Sequence, residues 1–221
     1  ELLKETIQTL QVDCYFDEQG YLAIAIDDQE LDELKASVEI LNKLGFSNEF
    51  VSSNQLKQWG FKNVKGARLE KKGGSAHPVK LRNAILEHCL SAGVKYYSGV
   101  RVDDLSEKNS TVELKTNKGT QRFEGAVVAA NAYSLKINEV VRDHRLLVPF
   151  RGQIITSKPL QENFAIKKPH SFNHGYEYAL ITPDNRLMIG GWRDQVPGKE
   201  QGSYDLQKNP SVDSGLMEFV E

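Results

Sequence analysis

The side chains best equipped for chemistry in this chain are five histidines, a pair of tyrosines and two arginines. His77, His88, His144, His170 and His174 form no HExxH motif, the arrangement that would seat a zinc ion and its general base. No GxSxG elbow presents a nucleophilic serine. Tyr176 and Tyr178 are two residues apart, just after His174, so strand alternation puts both on one face. A tyrosine offers an apolar body and a polar tip, which suits the lining of a small-molecule channel and equally suits cross-strand packing. Arg151 and Arg193 could each grip a carboxylate through two parallel N–H donors. Asp184 lies in a Pro-Asp-Asn turn. It reads as a turn former, or as a counter-charge for a cationic substrate. His77 precedes Pro78 at a helix start, where it can cap the helix or hydrogen-bond a bound group. The acidic run DDQELDEL, from Asp27 to Leu34, reads as an exposed, solvated helix face.

The glycines define what is missing. A dinucleotide pyrophosphate is usually held by GxGxxG at a helix N-terminus. None of the 17 glycines fall at that spacing. The GxxxxGK[ST] loop is absent too. Gly73-Gly74 and Gly190-Gly191 are the only adjacent pairs.

These residues must be positioned by elements that the periodicity defines. Leu2, Leu3, Ile7 and Leu10 share one helical face. CYFDEQGYLAIAID reads as two strands around a turn at Asp17 to Gly20. Asp27 or Asp28 can cap a helix carrying Leu31, Leu34, Val38, Leu41 and Leu44, which Gly45 stops. Phe46 to Val51 is extended, and Ser52 or Ser53 caps the short helix NQLKQW. Phe61 to Lys72 is extended and partly solvent-facing. Pro78 opens a helix with Leu81, Ile85, Leu86, Cys89 and Leu90 on its buried face. Val94 to Tyr97 reads as a strand following that helix. Val100 to Phe123 alternates as an antiparallel meander with turns at Lys108-Asn109 and Lys118-Gly119. Ala126 to Ala130 is apolar on both faces, as in a buried parallel strand. A helix follows to about Arg142. Val148 to Ser157 is strand-like, Pro159 to Asn173 is loop, and Tyr176–Thr182 pairs with Arg186–Gly190. Ser211 or Asp213 could cap a final helix.

At 221 residues the chain can bury a sizeable core in one large or two small domains. A net charge of −2 gives no reason to expect nucleic acid or an acidic membrane as partner. No apolar run is long enough to span a bilayer. Two cysteines, Cys14 and Cys89, make no disulfide framework or zinc site, and a reducing cytoplasm is the expectation. The chain opens and closes inside helical patterns, so it is expected to be a piece of a longer protein.

Five motifs occur in a familiar order: GGSAHPVKL, GVKYYSGVRVDDL, AVVAANAYS, VPFRGQII and YALITPDNRLMIGG. Their order and spacing resemble the FAD-dependent amino-acid and amine oxidoreductases of the glycine oxidase, D-amino-acid oxidase and sarcosine oxidase type. The last two are most similar to the γ-glutamylputrescine oxidoreductase-like branch. The resemblance covers nearly the whole chain. It implies an α/β (α+β) fold: part of a flavin-binding α/β domain plus an antiparallel-sheet substrate domain with flanking helices. It assigns residues 1–71 and 144–221 to the substrate domain and 72–143 to the flavin domain.

The same resemblance places Val102 where a strand edge meets adenine, and Ala129, Ala130 and Asn131 where small residues let the dinucleotide approach. It puts His77 beside the cofactor, and Tyr176 and Tyr178 on a strand facing the substrate. Its members carry an arginine after the proline where this chain has Asp184, a departure that suits an amine better than a simple amino acid. The implied activity is hydride transfer from the carbon of a C–N bond to FAD. The alternatives are a non-enzymatic α/β scaffold module and a flavin dehydrogenase for a 2-hydroxy acid. The piece alone is expected to be inactive and to retain little FAD. Val94–Tyr97 and Ala126–Ala130, if unpaired, would be adhesive edges favouring self-association.

Overall fold

The computed structural model describes residues 2–162 and 166–220. Its helices are α1 (Leu2–Leu10), α2 (Asp28–Lys43), α3 (Ser53–Gln58), α4 (Pro78–Ser91), α5 (Ser134–Ile137), α6 (Glu139–Asp143) and α7 (Pro210–Val220). Its strands are β1 (Tyr21–Ala25), β2 (Asn48–Ser52), β3 (Gly66–Glu70), β4 (Val102–Lys108), β5 (Thr111–Thr116), β6 (Gly119–Phe123), β7 (Ile154–Thr156), β8 (His170–Phe172), β9 (Glu177–Ile181) and β10 (Leu187–Gly190). The result is the mixed α/β class expected.

One sheet has seven strands in the order β2-β3-β1-β8-β9-β10-β7. All its pairings are antiparallel except β1 with β8, which joins the early and late parts of the chain. Register gives the two faces their characters. One cross-strand row runs Leu22, His170, Ala179, Ile189, Ile155. Leu22, Ile24, Phe172, Ala179, Ile181 and Ile189 are buried on this side beneath α3 and α7 residues such as Leu56, Val212 and Leu216. Each buried leucine, isoleucine or phenylalanine among them contributes about 1.5–3 kcal/mol by leaving water. The other row runs Ala23, Ser171, Tyr178, Gly190, Ile154. There α2 covers the β1–β3 end, where Arg68 donates to Ser37 Oγ at 3.0 Å. Tyr178 and Ile154, toward the β7 end, are exposed.

The caps follow the sequence closely. Asp27 accepts the Glu30 amide at 2.8 Å, Ser52 accepts that of Gln55, and Pro78 opens α4 behind His77. At α7 the cap is Asn209, not Ser211 or Asp213: its Oδ1 accepts the Ser211 amide at 3.0 Å, and Pro210 fills the first helical position.

The structure corrects several expected elements. Val94–Tyr97 and Ala126–Ala130 join no ladder among the described residues, and Val94, Tyr96, Tyr97 and Val127 are exposed. A parallel strand needs neighbours to satisfy its backbone, and these segments have none here. For the same reason the apolar stripe of α4 includes no buried residue. The first half of the Cys14–Ile26 hairpin is not a strand; Asp17 instead bridges Ser75 through paired backbone bonds of 3.0 Å. Gly73 and Gly74 make that approach possible, since a Cβ at Gly73 would sit 2.5 Å from Tyr21 Cβ. β3 is an internal strand of the sheet, and Arg68, Leu69 and Glu70 on it are only half-buried, in line with the extended, partly solvent-facing segment expected over Phe61–Lys72. The expected helix to Arg142 breaks at Asn138, whose side chain caps α6. Val148–Ser157 shortens to β7, and the expected loop contains β8.

Candidate functional site

The site is built where β9 and β10 leave the large sheet. β9 does not begin at Tyr176: that residue has helical dihedrals (φ −67°, ψ −43°), and the strand starts at Glu177. Simple alternation therefore does not place Tyr176 beside Tyr178. Tyr178 lies on the open face, its ring against Gly190, where a Cβ would come within 2.7 Å of the phenol oxygen. Gly191 (φ +132°) passes under the Tyr176 carbonyl, with no room for a Cβ. The Gly190-Gly191 pair is thus a cradle for the Tyr176–Tyr178 segment. On the same face, Tyr21 donates its hydroxyl to buried Ser171 at 2.5 Å.

Beside this floor, Arg193 stacks on two aromatic rings. Its guanidinium carbon lies 4.9 Å from the Phe150 ring centre and 5.8 Å from that of Tyr176. Among the described residues no carboxylate pairs with it, and it is half-buried. A stacked, carboxylate-free guanidinium is a ready anion site. Arg151 is different. It pairs with Glu200, and donates to the carbonyls of Asp205 and Gln207 at 3.2 and 2.7 Å. The Arg151 bond holds the Glu200 carboxyl below its usual range. Arg151 organises the 200–207 loop and has little left to offer a substrate. Asp184 takes the Thr182 hydroxyl at 2.6 Å and Arg186 at 2.7 Å, and these bonds lower its pKa. It serves the turn, which removes the support for a cationic substrate there.

The candidates of the small sheet form a second group. β4 is one of its two outer strands. Arg101 uses both backbone groups on Asn117, the N–H to Oδ1 and the C=O to the amide. By alternation Val102 turns its N–H and C=O to the open edge. α5 packs on β4. Just before α5, Asn131 has a φ of +46° and Ala130 is half-buried. Ala129 is exposed. His77 caps α4, its Nδ1 accepting the Lys80 amide at 3.4 Å, with its ring 6.0 Å from that of Tyr15.

Three buried carboxylates escaped the sequence reading; one of them, Glu113, is paired with Lys108 and Arg122 in the small sheet. Glu30, expected on a solvated face, is 3% exposed. It accepts the amides of Ile26 at 3.1 Å and His174 at 2.6 Å. Glu177 is 1% exposed and accepts the Trp192 amide at 3.1 Å. Burial raises its pKa, opposed by the Asn173 side chain and the Trp192 amide. A signal did exist: Glu177 shares its strand face with Ala179 and Ile181. His170 is also buried; burial lowers its pKa, and its Nδ1 lies 2.8 Å from the Lys168 carbonyl. It lines a cavity of about 610 Å³ with Trp59, Phe61 and Phe219. That cavity is on the opposite face from Tyr178 and is no part of this site.

A dinucleotide cofactor can be tested against this arrangement. Val102 lies on an edge strand, and Ala129 and Ala130 are small, which is the chemistry that the close approach of an adenosine end requires. No glycine-rich loop in this chain fits the pyrophosphate. Fold and side chains define a class: a mixed α/β protein whose large, mostly antiparallel sheet carries aromatic and arginine side chains at one end, beside a separate three-stranded sheet.

The chain belongs to the DAO family of FAD-dependent oxidoreductases, whose family model matches residues 1–218. Probable oxidoreductase OrdL of Haemophilus influenzae is 25% identical over 204 residues, covering 86% of this chain and 46% of that protein. Glycine oxidase from Bacillus cereus superposes with a TM-score of 0.78 at 17% identity, over 99% of this chain and 59% of that one. L-proline dehydrogenase from P. horikoshii gives 0.80 at 22% identity, with 99% and 59% coverage. The chain therefore spans about half the length of the relatives it matches. FAD is the cofactor of this family. Among the described residues no helix is long and apolar enough to cross a membrane.

Proposed function

We propose that the protein containing this chain oxidises the C–N bond of a small amino acid, with the substrate carboxylate held at Arg193. The observation that carries this is the half-buried Arg193 guanidinium, stacked on Phe150 and Tyr176 and paired with no carboxylate among the described residues. The glycine oxidase and proline dehydrogenase names of two structural relatives agree with an amino-acid substrate. Bound FAD would supply the hydride acceptor. This chain's own residues would bind and orient. Arg193 would fix the carboxylate, Tyr178 over Gly190 would wall the open sheet face, and Tyr176 would close the side next to Arg193. Val102 and the Ala129–Asn131 rim would meet the adenosine end. His77, engaged as a helix cap, contributes position to α4.

The division into substrate residues 1–71 and 144–221 and flavin residues 72–143 is part of this proposal. It is supported by the joining of β1–β3 with β7–β10 in one sheet, while β4–β6 form another. A cytoplasmic location and self-association through Val94–Tyr97 or Ala126–Ala130 remain proposals of the same kind. The test is reduction of the flavin-loaded protein by glycine, alanine and proline against amines lacking the carboxylate. Arg193→Gln is expected to raise KM for the amino acid by about 10- to 100-fold, the loss of a charge-assisted hydrogen bond of about 1.5–3 kcal/mol. An unchanged KM sinks the assignment.

A further inference from the structure

The backbone that presents Arg193 and Tyr176 is unusual. Asn173, His174 and Gly175 follow one another with φ of +50°, +53° and +85°. Gly191 and Trp192, immediately before Arg193, have φ of +132° and +61°. Residues with a Cβ seldom adopt positive φ, and then only where the surroundings hold them there. Here the surroundings are two buried carboxylates. Glu30, from α2, accepts the amide of left-handed His174 at 2.6 Å. Glu177, the first residue of β9, accepts the amide of left-handed Trp192 at 3.1 Å. The Trp192 indole anchors the same turn from the other side, against α7, where Gly215 leaves no room for a Cβ and Phe219 lies 6.0 Å away. Asn173 reaches Asp194 at 3.4 Å and ties the two turns together.

We propose that Glu177, with Glu30 as its counterpart, is a positioning residue for the anion site: it holds the Trp192 amide in the left-handed turn that lays Arg193 on the Phe150–Tyr176 shelf, while Glu30 holds the loop that delivers Tyr176. A buried carboxylate is otherwise a costly occupant for a strand face shared with Ala179 and Ile181. It takes up no cation: among the described residues neither Glu30 nor Glu177 lies in an ion pair. Each accepts a backbone amide in a conformation that the chain alone would not choose, and Glu30 accepts that of Ile26 as well. This inference rests on the reading of Arg193 as the anion-binding group.

This chain has two tryptophans, Trp59 and Trp192, so 5-fluorotryptophan labelling gives one fluorine NMR line for each of them. Propionate is the probe and propylamine its cationic control. Propionate is expected to shift the Trp192 line, and Arg193→Gln to abolish the shift. Glu177→Met, similar in shape but without an acceptor, is expected to weaken propionate about fivefold or more, the size of one lost hydrogen bond. It should also move or broaden the Trp192 line without ligand. Glu177→Gln keeps an acceptor for the Trp192 amide and is expected to restore both. Glu177→Met that binds propionate like the parent, with the Trp192 line unmoved, overturns the proposal. If the parent ignores propionate, or Arg193→Gln binds it equally well, the Arg193 reading fails. The clamp is then judged on the ligand-free Trp192 line alone. If Glu177→Met does not fold, hydrogen exchange at the Trp192 amide of the parent decides: strong protection is expected, and exchange at the open-chain rate refutes the bond.

Discussion

Replacing Gly191 by alanine tests whether the cradle under Tyr176 is as tight as it looks. The added Cβ would collide with the Tyr176 carbonyl oxygen and lie 2.8 Å from Glu177 Cα. Both neighbours are backbone, so no rotamer change relieves the contact. The φ of +132° is also one that an alanine rarely adopts. Strain of about 1–3 kcal/mol from the dihedral and a similar amount from overpacking give about 4 kcal/mol together. For a chain of this size that corresponds to a fall in Tm of about 8–16 °C. Gly175 is the control. Its φ is +85°, but a Cβ there would meet nothing within 4 Å. Gly175→Ala carries the dihedral cost alone, about 1–2 kcal/mol, or a few degrees. Thermal unfolding followed by circular dichroism, repeated by urea titration, measures both. If Gly191→Ala melts within about 3 °C of the parent, or no lower than Gly175→Ala, the steric reasoning is wrong. The sheet then bends there more easily than the structure shows.

Two further outcomes separate structural from substrate-facing charges. Arg151→Met is expected to lower Tm at neutral pH while leaving carboxylate affinity near the parent value, because Arg151 serves Glu200 and the 205–207 carbonyls. Since the pair depresses the Glu200 pKa, its contribution is present above the ordinary carboxyl value and fades as pH falls through the depressed one, so the Tm gap should narrow in acid. Glu177 has the opposite sign. Its folded pKa is raised, so the parent gains stability relative to Glu177→Gln as pH falls toward the ordinary value of 4.5, and loses it as pH rises through the raised one. Urea unfolding of both proteins across that range checks it; a difference independent of pH contradicts the raised pKa.

Local signals in the sequence carried far. Caps at Asp27, Ser52 and His77, the Pro183-Asp184-Asn185 turn and the β4–β6 meander all follow from spacing and residue type. What failed was non-local. Val94–Tyr97 and Ala126–Ala130 have strand composition but no neighbour, and a strand exists only through its partners. β8 was hidden in an apparent loop because its three residues, His170–Phe172, are ordered by pairing with β1, about 150 positions earlier in the sequence. At the site, Arg193 and Tyr176 were visible as residue types, but their meeting depends on turns at positive φ that no periodicity reports. Arg151 and Arg193 looked equivalent in sequence. The Glu200 pairing and carbonyl bonds of Arg151, against the ring stacking of Arg193, tell them apart.

The central claim is that a carboxylate-bearing amine is recognised at Arg193 and oxidised. The most direct measurement is anaerobic mixing of the flavin-loaded protein with glycine, alanine and proline, each beside its decarboxylated amine, while the oxidised flavin absorbance is followed. The account predicts that an amino acid bleaches the flavin, that its matched amine does not at the same concentration, and that Arg193→Gln slows bleaching through KM. Equal reduction by the amine, or reduction by a 2-hydroxy acid and by no amino acid, would contradict it.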